Sequence, residues 1–187
     1  MKKVLSFLLI GLAIFSSGCS SVSVRTDYDP EYDFSTFKTY RWANANELNP
    51  DDVLAKNPLA YKRVQDAVNN TLEEKGRTLV ESDDADFVVH AHAGVKERIQ
   101  VYNTGFYGGY GGWYDPWWGS YGGTNISHYE EGTLVIDIIH WENKKLAWRG
   151  TGAAILSGYR DSERMQKNID AMVAKTMADF PPGAAKQ

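Results

Sequence analysis

Hydrophobic and polar positions alternate most clearly between residues 130 and 156, EEGTLVIDIIHWENKKLAWRGTGAAIL. Two apolar-rich runs flank the polar cluster Glu142-Asn143-Lys144-Lys145, the pattern of a β-hairpin. A period of two predicts that Ile136, Ile138, Leu146 and Trp148 share one face, and that Asp137 and Arg149 share the other. This is the longest and most apolar strand pair in the chain, which places it in the middle of a sheet.

Shorter patterns flank it. Residues 22–26 alternate and predict a first strand, and the aromatic and threonine content of residues 36–42 predicts a second. Asn57-Pro58 predicts a helix start, with Asn57 as the cap and Pro58 in the first helical position. Tyr61, Val64, Val68, Thr71 and Leu72 then recur at three- and four-residue steps, one apolar face of a helix, and Gly76 is placed to end it. Residues 77–80 read as a short strand and 87–95 as a longer one, with β character running on to Val101. Near the C-terminus, Asp161-Ser162 predicts the start of a last helix. Its apolar face is Met165, Ile169, Met172, Val173, Thr176 and Phe180, and Pro181-Pro182 stops it. Helices with one apolar stripe each must cover one side of a sheet. The expectation is therefore an α+β two-layer sandwich, with a largely antiparallel (mixed) sheet of about five to six strands and two helices on one face.

The two ends of the chain follow other rules. Lys2 and Lys3 precede an apolar run, residues 4–15, and Ser16-Ser17-Gly18 supplies small residues for cleavage. That is a secretory signal, too short to be a good membrane span. Cys19, the only cysteine, follows directly. These residues resemble a bacterial lipoprotein signal, in which the cysteine after the cleaved bond is acylated with palmitate-type chains. Ser16 departs from that pattern, where leucine is commonest. The alternative is an ordinary signal peptide followed by a free thiol. Residue 20 is Ser rather than Asp, which in the sorting scheme of such lipoproteins implies the outer membrane, and the periplasmic face is the side expected. Two or three acyl chains anchor a protein essentially permanently. If β structure begins at Val22, only Ser20 and Ser21 separate lipid from fold, a tether of roughly 10 Å. The domain expectation is a signal peptide over 1–18, a single lipoprotein domain over 19–182 and a tail over 183–187.

The 187 residues suit one domain with a substantial core. Loss of Lys2 and Lys3 from the 20 basic residues, against 24 acidic ones, leaves the mature chain at about −6. That balance attracts neither nucleic acid nor an anionic membrane surface. With Cys19 acylated there is no disulfide and no thiolate metal site.

Several segments together carry a family resemblance. They are Tyr28-Asp29 with Asp33-Phe34-Ser35, Tyr40-Arg41-Trp42, Asn57-Pro58-Leu59, Asp84-Ala85-Asp86, Gly132-Thr133-Leu134-Val135-Ile136-Asp137, Leu146-Ala147-Trp148-Arg149-Gly150 and Phe180-Pro181-Pro182. From Val22 to Pro182 the chain resembles bacterial lipoproteins of the domain-of-unknown-function 4136 family (DUF4136). The resemblance implies a fold and a place in the cell envelope. It brings no established catalytic or ligand-binding residues.

Candidate chemistry is sparse. His90 and His92 lie two apart on an expected strand, so both rings leave the same face, and Asp137 is an oxygen donor if its strand is adjacent. A metal-binding periplasmic domain is therefore the alternative reading, against a polar row on the uncovered side of the sheet with Val89 and Ala91 facing the core. Asp137 and Arg149 read as a structural ion pair, and His128 and His140 as isolated surface residues. The acidic turn with Asp27, Asp29 and Asp33 lacks the glycine and terminal glutamate of a calcium loop and reads as a solvated turn. Ser120 lies in Gly119-Ser120-Tyr121-Gly122 with Trp118 in the first required glycine position, which is not a nucleophile elbow. No cofactor or enzyme chemistry is expected.

The sharpest candidate is the insert over 103–125, NTGFYGGYGGWYDPWWGSYGGTN. Tyr107, Tyr110, Trp113, Tyr114, Trp117, Trp118 and Tyr121, with Phe106, sit among glycines with no aliphatic partners. Exposed rings offer large contact areas at small entropic cost, so the segment predicts an interaction surface for an envelope protein, a glycan or the lipid interface. The competing expectation is a linker whose rings fold back over the sheet. Membrane attachment through the lipid anchor, and binding or scaffolding through this loop, complete the functional expectation.

Overall fold

A computed structural model describes residues 22–44, 49–82, 84–103, 124–156 and 161–183. In chain order the elements are β1 (Ser23–Tyr28), β2 (Thr39–Trp42), α1 (Pro58–Glu74), β3 (Thr78–Leu79), β4 (Phe87–Asn103), β5 (Thr124–His140), β6 (Leu146–Ile155) and α2 (Ser162–Thr176). The six strands form one sheet in the order β1-β6-β5-β4-β2-β3. The β1, β6, β5 and β4 neighbours are antiparallel, while β2 runs parallel to both β4 and β3. Two parallel strands cannot be joined by a tight turn, and α1 lies in the connection that returns the chain from β2 to β3. The expected α+β architecture, its element order and the central place of β5 and β6 all hold.

Both helices cover the same face. Val64, Val68 and Leu72 of α1 and Val173 of α2 join Val89, Ala91, Ile136, Ile138 and Trp148 of the sheet in one core, each almost without solvent exposure. Each such side chain contributes on the order of 1.5–3 kcal/mol relative to an exposed one. Gly150 and Gly152 let α2 sit close to β6. A Cβ at Gly150 would strike the Trp148 ring, and one at Gly152 the Thr176 hydroxyl.

Local signals worked at three helix ends. Pro58 opens α1, and Gly76, at φ 74°, turns the chain out of it. The Asp161 carboxylate accepts from the Glu163 amide at the start of α2. Asn57 differs, because its carbonyl accepts from the Tyr61 amide but its side chain makes no cap bond.

Two larger differences concern register. Leu146, expected on the buried face, is 42% exposed, while Ala147 is fully buried. The ladder shifts between Ile138 and Ile139, so Ile138 faces Trp148 but Ile139 faces Leu146. That β-bulge turns Leu146 to the opposite face. The second difference is strand length. The β4–β5 ladder runs without a break from Phe87↔His140 to Asn103↔Thr124, well past the expected start of the second strand at Glu130. Backbone pairing extends the hairpin through the polar run 124–129, which has no apolar alternation to announce it.

Candidate functional site

The helix-free face of the sheet carries the polar side chains. Register aligns Asp27, Arg149, Asp137 and His90 in one row across β1, β6, β5 and β4. Arg149 grips Asp137 through two bonds, Nε to Oδ1 at 2.6 Å and Nη2 to Oδ2 at 2.7 Å. Asp137 is only 4% exposed. Burial by itself would raise its carboxyl, but the bonds and charge of Arg149, with His92 beside it, outweigh that and hold it below the usual carboxylate range. The Arg149 guanidinium is raised in turn, chiefly by its hydrogen bonds to Asp137.

His90 and His92 stand side by side, ring centres 3.9 Å apart, with Val89 and Ala91 turned into the core. His92 lies between two carboxylates, Nδ1 3.7 Å from Asp52 and Nε2 3.6 Å from Asp137. Asp52 is a member of this cluster that sequence reading missed. Its carboxylate accepts from the Ala93 amide at 3.1 Å and the Leu54 amide at 2.7 Å, and the Val53 amide bonds the Ala93 carbonyl. The loop carrying Asp52 thus continues the sheet edge where β2 stops, a docking no local pattern signals. The structure does bring His90, His92 and Asp137 together as the spacing predicts. Arg149 and the backbone amides occupy the carboxylate oxygens, however, and among the described residues no three His, Cys, Asp or Glu side chains are arranged to hold a metal ion.

His140 is not the isolated surface residue expected. It is half-buried, 5.3 Å from the Tyr32 ring and 5.7 Å from the Phe37 ring. His128 is exposed on β5. The acidic turn is held by local bonds, Asp29 accepting from the Glu31 amide and Asp33 from the Ser35 amide.

The most prominent feature is an arm. Beyond Lys96 and Glu131, where β6 stops pairing with β5, the β4–β5 pair runs on for about seven residues a strand, roughly 23 Å. Val95 and Ile99, on the face that carries the helices further down, are 44% and 63% exposed. Arg98 bonds Glu131 across the strands at 3.0 Å. The arm ends in the glycine- and aromatic-rich insert. Tyr107, Tyr110, Trp113, Tyr114, Trp117, Trp118 and Tyr121 lie outside the described residues, as does Cys19.

Sheet, helices and projecting hairpin define a class, a two-layer α+β sandwich with an extended two-stranded arm. The family model described as "Domain of unknown function (DUF4136)" matches residues 24–182, and the chain belongs to that family. No curated protein matches it. Among solved structures it is similar to a PDZ domain protein from Parabacteroides distasonis, at 13% identity and a TM-score of 0.54. The likeness covers 86% of this chain but 36% of that one, so the chain spans about a third of that protein's length. It is also similar to PelC from Paraburkholderia phytofirmans, crystallised as a dodecamer, at 15% identity and a TM-score of 0.45, over 84% and 95% of the two chains. At 13% identity the likeness to the PDZ domain protein concerns the fold alone.

Proposed function

We propose that this protein is a non-catalytic envelope lipoprotein, anchored through Cys19 on the periplasmic face of the outer membrane, that binds an envelope partner through the insert at the end of its arm. The observation that carries this reading is the unbroken β4–β5 ladder from Phe87↔His140 to Asn103↔Thr124. An isolated two-stranded ribbon is at best marginally stable in water, so one of this length that nevertheless projects from the sheet suits presentation of what it carries. The segment it carries holds the densest group of aromatic residues in the chain. Rings with few rotatable bonds bind with little entropic loss, which suits contact with a protein surface or a sugar ring.

The test is photo-crosslinking in intact cells from a probe placed at Trp117. A discrete protein adduct supports partner binding and identifies the partner, and a glycan-linked ladder points to the wall. No adduct overturns the reading. Deleting residues 105–123 is expected to abolish function while leaving the domain folded. Replacing Cys19 with serine is expected to remove metabolic palmitate labelling and release the protein from the membrane.

A further inference from the structure

The layer between sheet and helices is not filled along its whole length. A cavity of about 440 Å³ opens between the N-terminal halves of α1 and α2 and the β4–β5 ladder. Its walls are apolar, with Leu54, Leu59, Leu134, Leu156, Ile169 and Met172 among them. Small residues make the room, namely Ala60 on α1 and Ala93 on β4, while Gly132 on β5 gives its place to the Leu156 side chain. Among the described residues that line it, Arg63 alone is charged and none is acidic. The half-buried Arg63 guanidinium donates to the Ser162 hydroxyl at 2.9 Å and to the Met165 sulfur at 3.3 Å. Both acceptors are neutral and the sulfur is a weak one, so among the described residues this cation at the edge of an apolar cavity bonds no carboxylate. Asn57 also lines the cavity, with a side chain that makes no helix-cap bond, and Leu59 in the first turn of α1 is 70% exposed.

We infer that this cavity binds a long-chain fatty acid, its hydrocarbon chain among the leucine and methionine side chains and its carboxylate on Arg63. The volume falls within the range of pockets that enclose small ligands, about 300–1,000 Å³. An apolar lining excludes a polar ligand, and a single guanidinium at its edge selects for one negative charge at one end of the molecule. A carboxylate supplies one charge and two oxygens for the planar guanidinium. The exposed Leu59 marks an apolar way in from a lipid layer. The site uses neither the arm nor Cys19.

The experiment uses the full chain in phosphatidylcholine nanodiscs with diazirine-labelled palmitic acid as the probe. Photolabelling is expected on peptides spanning residues 57–64 and 165–172, with unlabelled palmitate competing. Arg63→Gln is expected to weaken competition by palmitate about tenfold while changing competition by hexadecanol, which lacks the charge, less than twofold. Arg63→Lys should recover part of the loss. Ala60→Trp, which places a large ring in the cavity, is expected to remove labelling in protein whose circular dichroism is unchanged. Absent labelling, labelling confined to other peptides, or equal loss of acid and alcohol competition in Arg63→Gln would each overturn the assignment.

Discussion

The two ends of the layer between helices and sheet are built on opposite plans. At one end Phe34, Phe37, Tyr40, Phe87, Trp148 and Phe180 form a continuous aromatic cluster, with Phe34–Phe37, Trp148–Phe180 and Phe37–Phe87 ring centres 5.1, 5.2 and 5.4 Å apart. Every one of these rings is buried. At the other end Ala60 and Ala93 stand where large side chains would be needed, and a cavity remains. The same sheet and the same two helices pass through both ends. Difference in side-chain volume, not in backbone plan, separates a close-packed region from one with capacity for a ligand. One end holds the fold together, so the other is free to stay hollow.

Substitutions can break this comparison. The largest effect is expected for Trp148→Ala at the filled end, a loss of about 3–5 kcal/mol in urea unfolding, because no neighbour can collapse into the space. Met172→Ala, beside the existing cavity, is expected to cost about half as much or less, and equal losses would show that the two ends do not differ in packing. Next comes the ion pair on the helix-free face, beneath the filled end. Arg149→Ala leaves the buried Asp137 carboxylate without its main partner and is expected to cost about 2–4 kcal/mol, Arg149 itself being half exposed.

The same pair sets an acid limit. The Arg149 partnership holds the folded-state pKa of Asp137 below the ordinary carboxylate value of 3.8, so its contribution is fully present above about pH 4 and is lost as pH falls below that value. Stability measured from pH 6 down to pH 2 should fall less steeply in Asp137→Asn than in the native chain, and parallel curves would refute the linkage.

Added volume gives a smaller and more pointed contrast. Ala147→Leu, at a site without exposure in the filled end, is expected to destabilise by about 1–3 kcal/mol. Ala60→Leu, which adds the same atoms at the hollow end, is expected to be neutral or mildly stabilising in the same unfolding experiment. The smallest effect is expected on the arm. Ile99→Lys, at a position 63% exposed, should change stability by no more than about 0.5 kcal/mol. A larger loss would show that the arm packs against another part of the chain and does not stand free.

Much of this molecule could be read along one dimension. Alternation through Leu134, Ile136 and Ile138 placed β5 with one face in the core, and the same parity put Asp137 and Arg149 together on the other. Pro58, Gly76 and Asp161 marked helix ends because caps and breakers act within a turn or two of their own position. The pairing of His90 and His92 with Asp137 was legible for the same reason, since strand parity and adjacency suffice.

Three features were decided only in the folded chain. The bulge that turns Leu146 outward depends on how β6 meets β5, and nothing in the residues around Leu146 records it. Asp52 reaches His92 because its loop bonds a strand edge some forty residues further along the chain. The cavity exists because Ala60 of α1 and Ala93 of β4, distant in sequence, line one space between the two helices and the sheet. A hydrophobic period reports which way a side chain points from its own backbone, a local property. Register, loop docking and unfilled volume depend on what stands opposite, and only the tertiary structure supplies that partner.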